Sequence, residues 1–145
     1  AVGMLYNRTQ KEMIADFGGL SKQVPIFAFF FGLFVLASIG LPGLSGFVGE
    51  FMILLGAFKV SIILGLLAGL GILIGIAYML WMFQRVILGH QANPKYKNLK
   101  DLNKNEVLCL LPLLAFVVWV GVYPVPFINL LRKTVRHLLM NFAGM

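Results

Sequence analysis

The feature that most constrains the fold is a run of 35 residues, Val24 to Phe58, in which Glu50 is the only charged residue. As one straight α-helix the run would measure about 52 Å at 1.5 Å per residue. The hydrocarbon core of a bilayer is only about 30 Å thick. The run is therefore too long for a simple crossing, and we predict that it folds as a discontinuous membrane helix.

The centre of this run carries residues that interrupt a helix. Pro42 has no backbone N–H to donate, and its ring would clash with the carbonyl group of Ser38 in a continuous helix. Neighbouring glycines weaken the helix further and permit unusual backbone dihedral angles. We therefore predict two half-helices, 24–39 and 45–58, joined by irregular backbone whose polar groups are satisfied by protein or a wet cavity. The residues assigned to the break are Gly40, Pro42, Gly43, Ser45 and Gly46, with Ser45 as the cap of the second half-helix.

Composition indicates that the whole chain belongs in lipid. It is 60% hydrophobic and 12% charged, whereas about 25% charged residues is usual for a soluble domain. The fold class we predict is all-α: a polytopic transmembrane helix bundle with one discontinuous helix and a C-terminal amphipathic interfacial helix. Its single membrane domain, 1–145, would comprise a cytoplasmic connector (6–23), the broken transmembrane helix (24–58), a transmembrane helix (60–88), a cytoplasmic loop (89–106), a further transmembrane helix (107–125) and the amphipathic helix (127–142).

The helix predicted over 60–88 carries two recognisable patterns. Glycines four residues apart, a spacing that lets membrane helices approach closely, occur as Gly65 and Gly69 and again as Gly71 and Gly75. Tyr78 and Trp81 lie near its end, where aromatic residues of membrane helices meet the water interface. The first pattern predicts tight helix packing and the second predicts a position at the membrane surface.

The net charge of +7 is better explained by membrane orientation and anionic lipid than by nucleic acid, because the basic residues flank the apolar runs. The side that would hold the connector, Arg85 and the 89–106 loop carries eight basic residues against four on the opposite side, so the positive-inside rule predicts that this side is cytoplasmic. The only cysteine, Cys109, lies inside an apolar run, which excludes a disulfide framework and a CxxC metal site.

Glu50 is the candidate functional residue. It lies nine residues before Lys59, which places it about 13 Å from the membrane surface if the segment is helical. A carboxyl group at such depth costs on the order of 3 kcal/mol. Burial disfavours its charged form, whereas the positive end of the second half-helix favours it, so we predict a proton relay. The alternative is that Glu50 pairs with a cation on a neighbouring helix and only maintains packing.

Four motifs are recognisable: Gly18-Gly19-Leu20, the run GLPGLSGFVGEF from Gly40 to Phe51, Gly56-Ala57-Phe58, and Gly121-Val122-Tyr123-Pro124. With these motifs the chain resembles the antiporter-like, proton-translocating membrane subunits of NADH:quinone oxidoreductase, or respiratory complex I. The resemblance extends over essentially the whole chain and implies that it is the C-terminal part of a longer subunit. It also implies that Glu50 is the acid on a discontinuous helix near the outlet of the proton path.

The resemblance implies a subunit of a translocating oxidoreductase that has no redox active site of its own. We expect no cofactor-binding or metal-binding residue in this chain, with NADH, flavin, iron–sulfur clusters and quinone held by partner subunits. Its partners would be other membrane subunits of the complex and lipid, with no nucleic acid, in a bacterial inner membrane or its equivalent. Two alternatives remain: a multisubunit Na⁺/H⁺ antiporter subunit without redox chemistry, and a purely structural membrane scaffold.

Overall fold

The computed structural model describes residues 1–11, 13–14, 17–89 and 99–143, and within these ranges the regular structure is entirely helical. Its helices are α1 (Val2–Thr9), α2 (Pro25–Ser38), α3 (Ser45–Val60), α4 (Ile62–Phe83), α5 (Lys104–Val122) and α6 (Val125–Ala143). A short 3₁₀ turn, Leu20–Lys22, precedes α2, and α4 continues into a π-helical turn, Gln84–Leu88. The all-α prediction is therefore confirmed.

Helices α3 and α4 form an antiparallel hairpin. Ser61, in extended conformation (φ −161°, ψ 138°), is the only residue between them. The helices then pack along their lengths: Gly65 lies against the ring of Phe58, and a Cβ atom at Gly69 would lie 3.9 Å from Leu54 Cδ2. A step of four residues from Phe58 back to Leu54 in α3 thus matches a step of four residues from Gly65 to Gly69 in α4. These two contacts define the register of the hairpin.

The end of α2 is a Schellman motif, a hydrogen-bonded turn that closes a helix. Gly40, the residue after the cap, has φ +72°, and its N–H donates to the carbonyl of Ala37 at 3.4 Å. The N–H of Leu41 donates to the carbonyl of Leu36 at 3.1 Å. These two bonds satisfy carbonyl groups that a helix end otherwise leaves free.

A tight turn then leads directly into α3. The N–H of Leu44 donates to the carbonyl of Leu41 at 3.0 Å, with Pro42 and Gly43 between them and Gly43 at φ +94°. Proline followed by a glycine of positive φ is the pattern of a type II turn. The prediction that Ser45 caps α3 is wrong: Leu44 is the cap, and Ser45 is the first helical residue. The reason is that Leu44, held by the turn, is still extended (φ −115°, ψ 158°), and no side chain caps α3.

The buried core lies at one end of the molecule, which we call the connector end. Leu20 of the 3₁₀ turn and Ile87 of the π-helical turn are each only 1% exposed, and the start of α2 contributes Val24 and Phe27. By contrast, two helices of the described residues, Ile62–Leu88 and Lys104–Val122, are long and apolar enough to span a membrane, and most of their residues are exposed. Their apolar surfaces are those of helices that face lipid or other helices.

Asp101 caps α2 from a distant part of the chain. Its Oδ2 accepts a hydrogen bond from the N–H of Ile26 at 2.9 Å, and its Oδ1 accepts from Phe27 at 3.1 Å. The same Oδ1 also accepts from Leu102 at 2.7 Å. A carboxylate at this position satisfies orphan N–H groups and faces the positive end of the helix. Asp101 therefore joins the segment before α5 to the start of α2.

A bidentate ion pair completes the connector end. Arg8 of α1 donates to Oε1 and Oε2 of Glu106 at 2.9 and 2.5 Å, and its other donors reach the backbone carbonyls of Met4, Lys100 and Asp101. Glu106 in turn forms a capping box with Asn103 at the start of α5. Because of this capping box, α5 begins at Lys104, three residues before the predicted start at 107.

The bounds of the helices can be compared with those of the remaining predicted segments, but part of these segments lies outside the described residues. The predicted connector, 6–23, begins inside α1, and residues 90–98 of the predicted loop lie outside the described residues. Helix α6 packs on α5 through Phe127, whose ring meets Phe116 and Trp119 edge to face. Its Arg132 and Arg136 are exposed, and its position on a membrane surface stays a prediction.

The contribution of Asp101 to the stability of α2 can be tested at the backbone N–H groups of Ile26 and Phe27, which donate to its carboxylate. Asp101→Ala removes the acceptors of both N–H groups, so we expect α2 to lose about 1 kcal/mol of local stability. Hydrogen exchange at Ile26 and Phe27, measured in detergent or lipid discs, should accelerate accordingly. Asp101→Asn keeps one acceptor oxygen and should give a smaller effect. Unchanged exchange in Asp101→Ala would contradict the assignment.

Candidate functional site

Glu50 lies in the second turn of α3, directly against the end of α2. A Cβ atom at Gly40 would overlap a carboxylate oxygen of Glu50 and would come within 2.9 Å of its Cδ. Gly40 therefore has two reasons to be glycine, its positive φ and the space that the carboxylate takes. Glu50 stands between the positive end of α3 and the negative end of α2, and only the first of these was evident in the sequence.

The interruption between α2 and α3 is held tightly on two sides. A Cβ atom at Gly46 would overlap the carbonyl oxygen of Ala37, so the first turn of α3 lies against the last turn of α2. On the other side, a Cβ atom at Gly121 near the end of α5 would overlap the backbone of Gly43 and Leu44. Gly46 belongs to the predicted break, whereas nothing in the spacing of the sequence assigned Gly121 to it.

A groove of about 580 Å³ opens beside Glu50, and we call it the Glu50 groove. It is lined by Ser38 and Ile39 of α2, Glu50 and Ile53 of α3, and residues of α4 between Ala68 and Met79. The volume leaves room for several water molecules, each of which occupies roughly 30 Å³ in the liquid. The groove therefore places open space directly beside the carboxylate, along α4.

The two glycine pairs of α4 have different surroundings. Gly65 and Gly69 pack against α3, as the small-xxx-small spacing predicts. Gly71 and Gly75 line the Glu50 groove, and a Cβ atom at Gly71 would meet nothing within 4 Å. The second pair therefore leaves space beside Glu50, and no other helix of the described residues packs against it.

The chemistry available in the groove is that of a single acid. Glu50 is half-buried and is the only carboxylic acid or charged side chain in the lining. Within the described ranges it forms no hydrogen bond and no ion pair. The same ranges contain no cluster of three or more potential metal ligands. An acid with no fixed cation can exchange its proton with water that enters the groove.

Gly40 and Gly43 offer a matched test of the contact with Glu50. Both have positive φ, so Gly→Ala at either position should cost about 1–2 kcal/mol from backbone strain. A Cβ atom at Gly43 meets nothing within 4 Å. Gly40→Ala should therefore cost about 1–3 kcal/mol more, because the added methyl displaces the Glu50 carboxylate. Thermal unfolding of both variants in detergent would measure the difference, and equal losses would contradict the contact.

Comparison with known proteins connects this geometry to a family. The model of the family described as NADH:quinone oxidoreductase/Mrp antiporter, transmembrane, matches residues 1–75. NADH-quinone oxidoreductase subunit M of Rickettsia prowazekii is 40% identical over 141 residues, which is 97% of this chain and 29% of that protein. NADH-ubiquinone oxidoreductase chain 4 of Marchantia polymorpha is 41% identical over 140 residues, 97% of this chain and 28% of that protein.

A solved structure is similar in both fold and sequence. A chain of respiratory complex I from Thermus thermophilus with bound NADH aligns with a TM-score of 0.77 and 38% identity, over 84% of this chain and 25% of that one. The chain thus spans less than a third of the length of these relatives. The resemblance to the antiporter-like membrane subunits of NADH:quinone oxidoreductase is confirmed, and the chain belongs to the NADH:quinone oxidoreductase/Mrp antiporter transmembrane family.

Proposed function

We propose that this chain is part of a proton-translocating membrane subunit of an NADH:quinone oxidoreductase, with Glu50 as the relay that carries the proton. The observation that carries the proposal is the half-buried Glu50, which pairs with no cation among the described residues and lies beside a groove where the helix is interrupted between α2 and α3. The similarity of this chain to NADH-quinone oxidoreductase subunit M of Rickettsia prowazekii supports the choice of this complex.

The relay works by alternation of Glu50 between two forms. As a neutral acid it donates its proton to water on one side, and as a carboxylate it accepts a proton from the other side. Because Gly40 has no side chain, the Glu50 carboxylate has room at the end of α2. The turn between α2 and α3 exposes backbone that a continuous helix would hide, and such backbone is tolerated in membranes where it lines a cavity.

The placement in the membrane belongs to the same proposal. Helices α2 and α3 would form one discontinuous crossing, α4 and α5 would form two further crossings, and α6 would lie on the membrane surface. The connector end would face the cytoplasm, in a bacterial inner membrane or its equivalent. Quinone reduction by other subunits, which would hold the flavin, the iron–sulfur clusters and the NADH site, would drive the proton transfer.

A second candidate is a cation/proton antiporter subunit, because the description of the matching family names Mrp antiporters as well as the oxidoreductase. The two candidates differ in what drives the proton. In membrane vesicles that contain the complete complex but no NADH or quinone, we expect added Na⁺ to cause no change in internal pH. A Na⁺-dependent pH change under these conditions would favour the antiporter.

Replacement of Glu50 by glutamine tests the relay itself. Glu50→Gln keeps the size of the side chain but cannot exchange a proton, so we expect proton transfer through this subunit to fall by at least about 100-fold. Glu50→Asp keeps a titratable group and should retain part of the activity. The measurement is the initial rate of NADH-driven pH change in vesicles, normalised to the amount of assembled complex.

Glu106→Gln is the matched control, because it makes the same chemical change at the connector end. It weakens the ion pair with Arg8 but leaves the Glu50 groove intact, so proton transfer per assembled complex should stay close to that of the wild type. If Glu50→Gln also kept wild-type proton transfer, the relay would be wrong, and a structural scaffold would be the better description.

A further inference from the structure

The register of the α3–α4 hairpin identifies what faces Glu50. Phe58 lies against Gly65, and Leu54 lies level with Gly69, one turn further from the Ser61 link. One more turn along each helix brings Glu50 level with position 73 of α4. Residues of α4 on either side of this level line the Glu50 groove, and Tyr78 is one of them.

The side chains of Glu50 and Tyr78 lean toward each other along the groove. Long helical side chains point back toward the N-terminus of their own helix. In an antiparallel hairpin, Glu50 therefore leans toward the start of α3, and Tyr78 leans toward the start of α4. The ring of Tyr78 follows this rule, because its Cε1 lies 3.9 Å from the Cβ position of Gly75. The phenol ring of Tyr78 thus lies closer to the level of Glu50 than the five-residue offset between positions 73 and 78 of α4 suggests.

The Tyr78 hydroxyl is also free to take part in a proton route. It has no hydrogen-bond partner in the part of the chain that the structure describes. Apart from Glu50, the O–H groups of the lining side chains belong to Ser38 and Tyr78. Ser38 already donates to the carbonyl of Phe34 at 2.9 Å. Tyr78 is therefore the remaining hydroxyl of the groove with both its donor and its acceptor functions unused.

We propose that Tyr78 is a second relay residue, which passes protons between Glu50 and the open part of the groove through intervening water. This inference rests on the proposed function of Glu50. In each transfer, the phenolic oxygen accepts a proton from water on one side as it releases its own proton to water on the other. The ring ends neutral, with one O–H bond formed and one broken. Gly71 and Gly75 leave the space that this water occupies.

Tyr78→Phe tests the proposal, because it removes only the hydroxyl. Tyr123→Phe is the matched control: Tyr123 is 55% exposed against 61% for Tyr78, but it lies at the end of α5, outside the groove lining. In vesicles that contain the complete complex, Tyr78→Phe should slow NADH-driven proton transfer by about tenfold, a modest cost for the loss of a proton-transfer partner. Tyr123→Phe should change the rate of NADH-driven proton transfer by less than about twofold, because its hydroxyl lies outside the groove.

Infrared difference spectroscopy gives a second readout. If Tyr78 were only an interfacial anchor, removal of its hydroxyl would leave the infrared band of Glu50 unchanged. The C=O stretch of protonated Glu50, identified by its loss in Glu50→Gln, should shift to higher wavenumber in Tyr78→Phe, because the acid loses part of its hydrogen-bonded water chain. If Tyr78→Phe pumped protons at the wild-type rate and its C=O band did not shift, the role of Tyr78 would be overturned. The proposed function of Glu50 would still stand if Glu50→Gln lost proton transfer. Failure of Tyr78→Phe to assemble would also overturn it, because a free hydroxyl should not be needed for folding.

Discussion

The structure depends on one constraint: the chain must interrupt the helix between α2 and α3 without leaving backbone polar groups unpaired. A polar group left unsatisfied in an apolar environment costs several kcal/mol. The chain meets this requirement locally, since the N–H groups of Gly40, Leu41 and Leu44 all find carbonyl partners within the preceding five residues. No water and no distant side chain is needed for these three bonds.

The position of Glu50 follows from this compact turn. The Schellman motif and the tight turn use only six residues, 39–44, between the helices, so α3 starts against the last turn of α2. The close approach of Gly46 to Ala37 and of Gly121 to Gly43 and Leu44 shows how little space remains. In this setting the Glu50 carboxylate lies against Gly40 on one side and borders the groove on the other. The local hydrogen bonding and the candidate chemistry therefore share one origin.

Local features of the fold were predictable because their causes lie close together in the sequence. Pro42 with its glycines predicts an interruption, and helical spacing places Glu50 in the second turn of α3. Pro112 also lies within an apolar run, yet α5 continues through it; no glycine of positive φ accompanies it. The error at Ser45 arose because a serine before an apolar run resembles a cap, whereas the preceding turn leaves Leu44 in the cap conformation.

Features that depend on two separate segments were not predictable in the same way. The bond from Asp101 to α2 spans about 75 residues, and the contact of Gly121 with the break requires that α5 be placed first. Tyr78 resembles an interfacial aromatic in the sequence, and only the register of α3 and α4 assigns it to the Glu50 groove. The capping box of Asn103 and Glu106 was visible in the sequence, but the lysine-rich segment around it favoured the prediction of a loop.

The Asp101 cap has a consequence for the order of events during biosynthesis. Because Ile26 and Asp101 are 75 residues apart, the ribosome needs about 4–15 s, at 5–20 residues per second, to make the cap after the helix that it closes. During this interval the N–H groups of Ile26 and Phe27 lack the acceptors that Asp101 provides in the finished structure. The start of α2 therefore gains its cap only after the whole of α4 has been synthesised, and until then the nascent chain holds this helix end in a provisional arrangement.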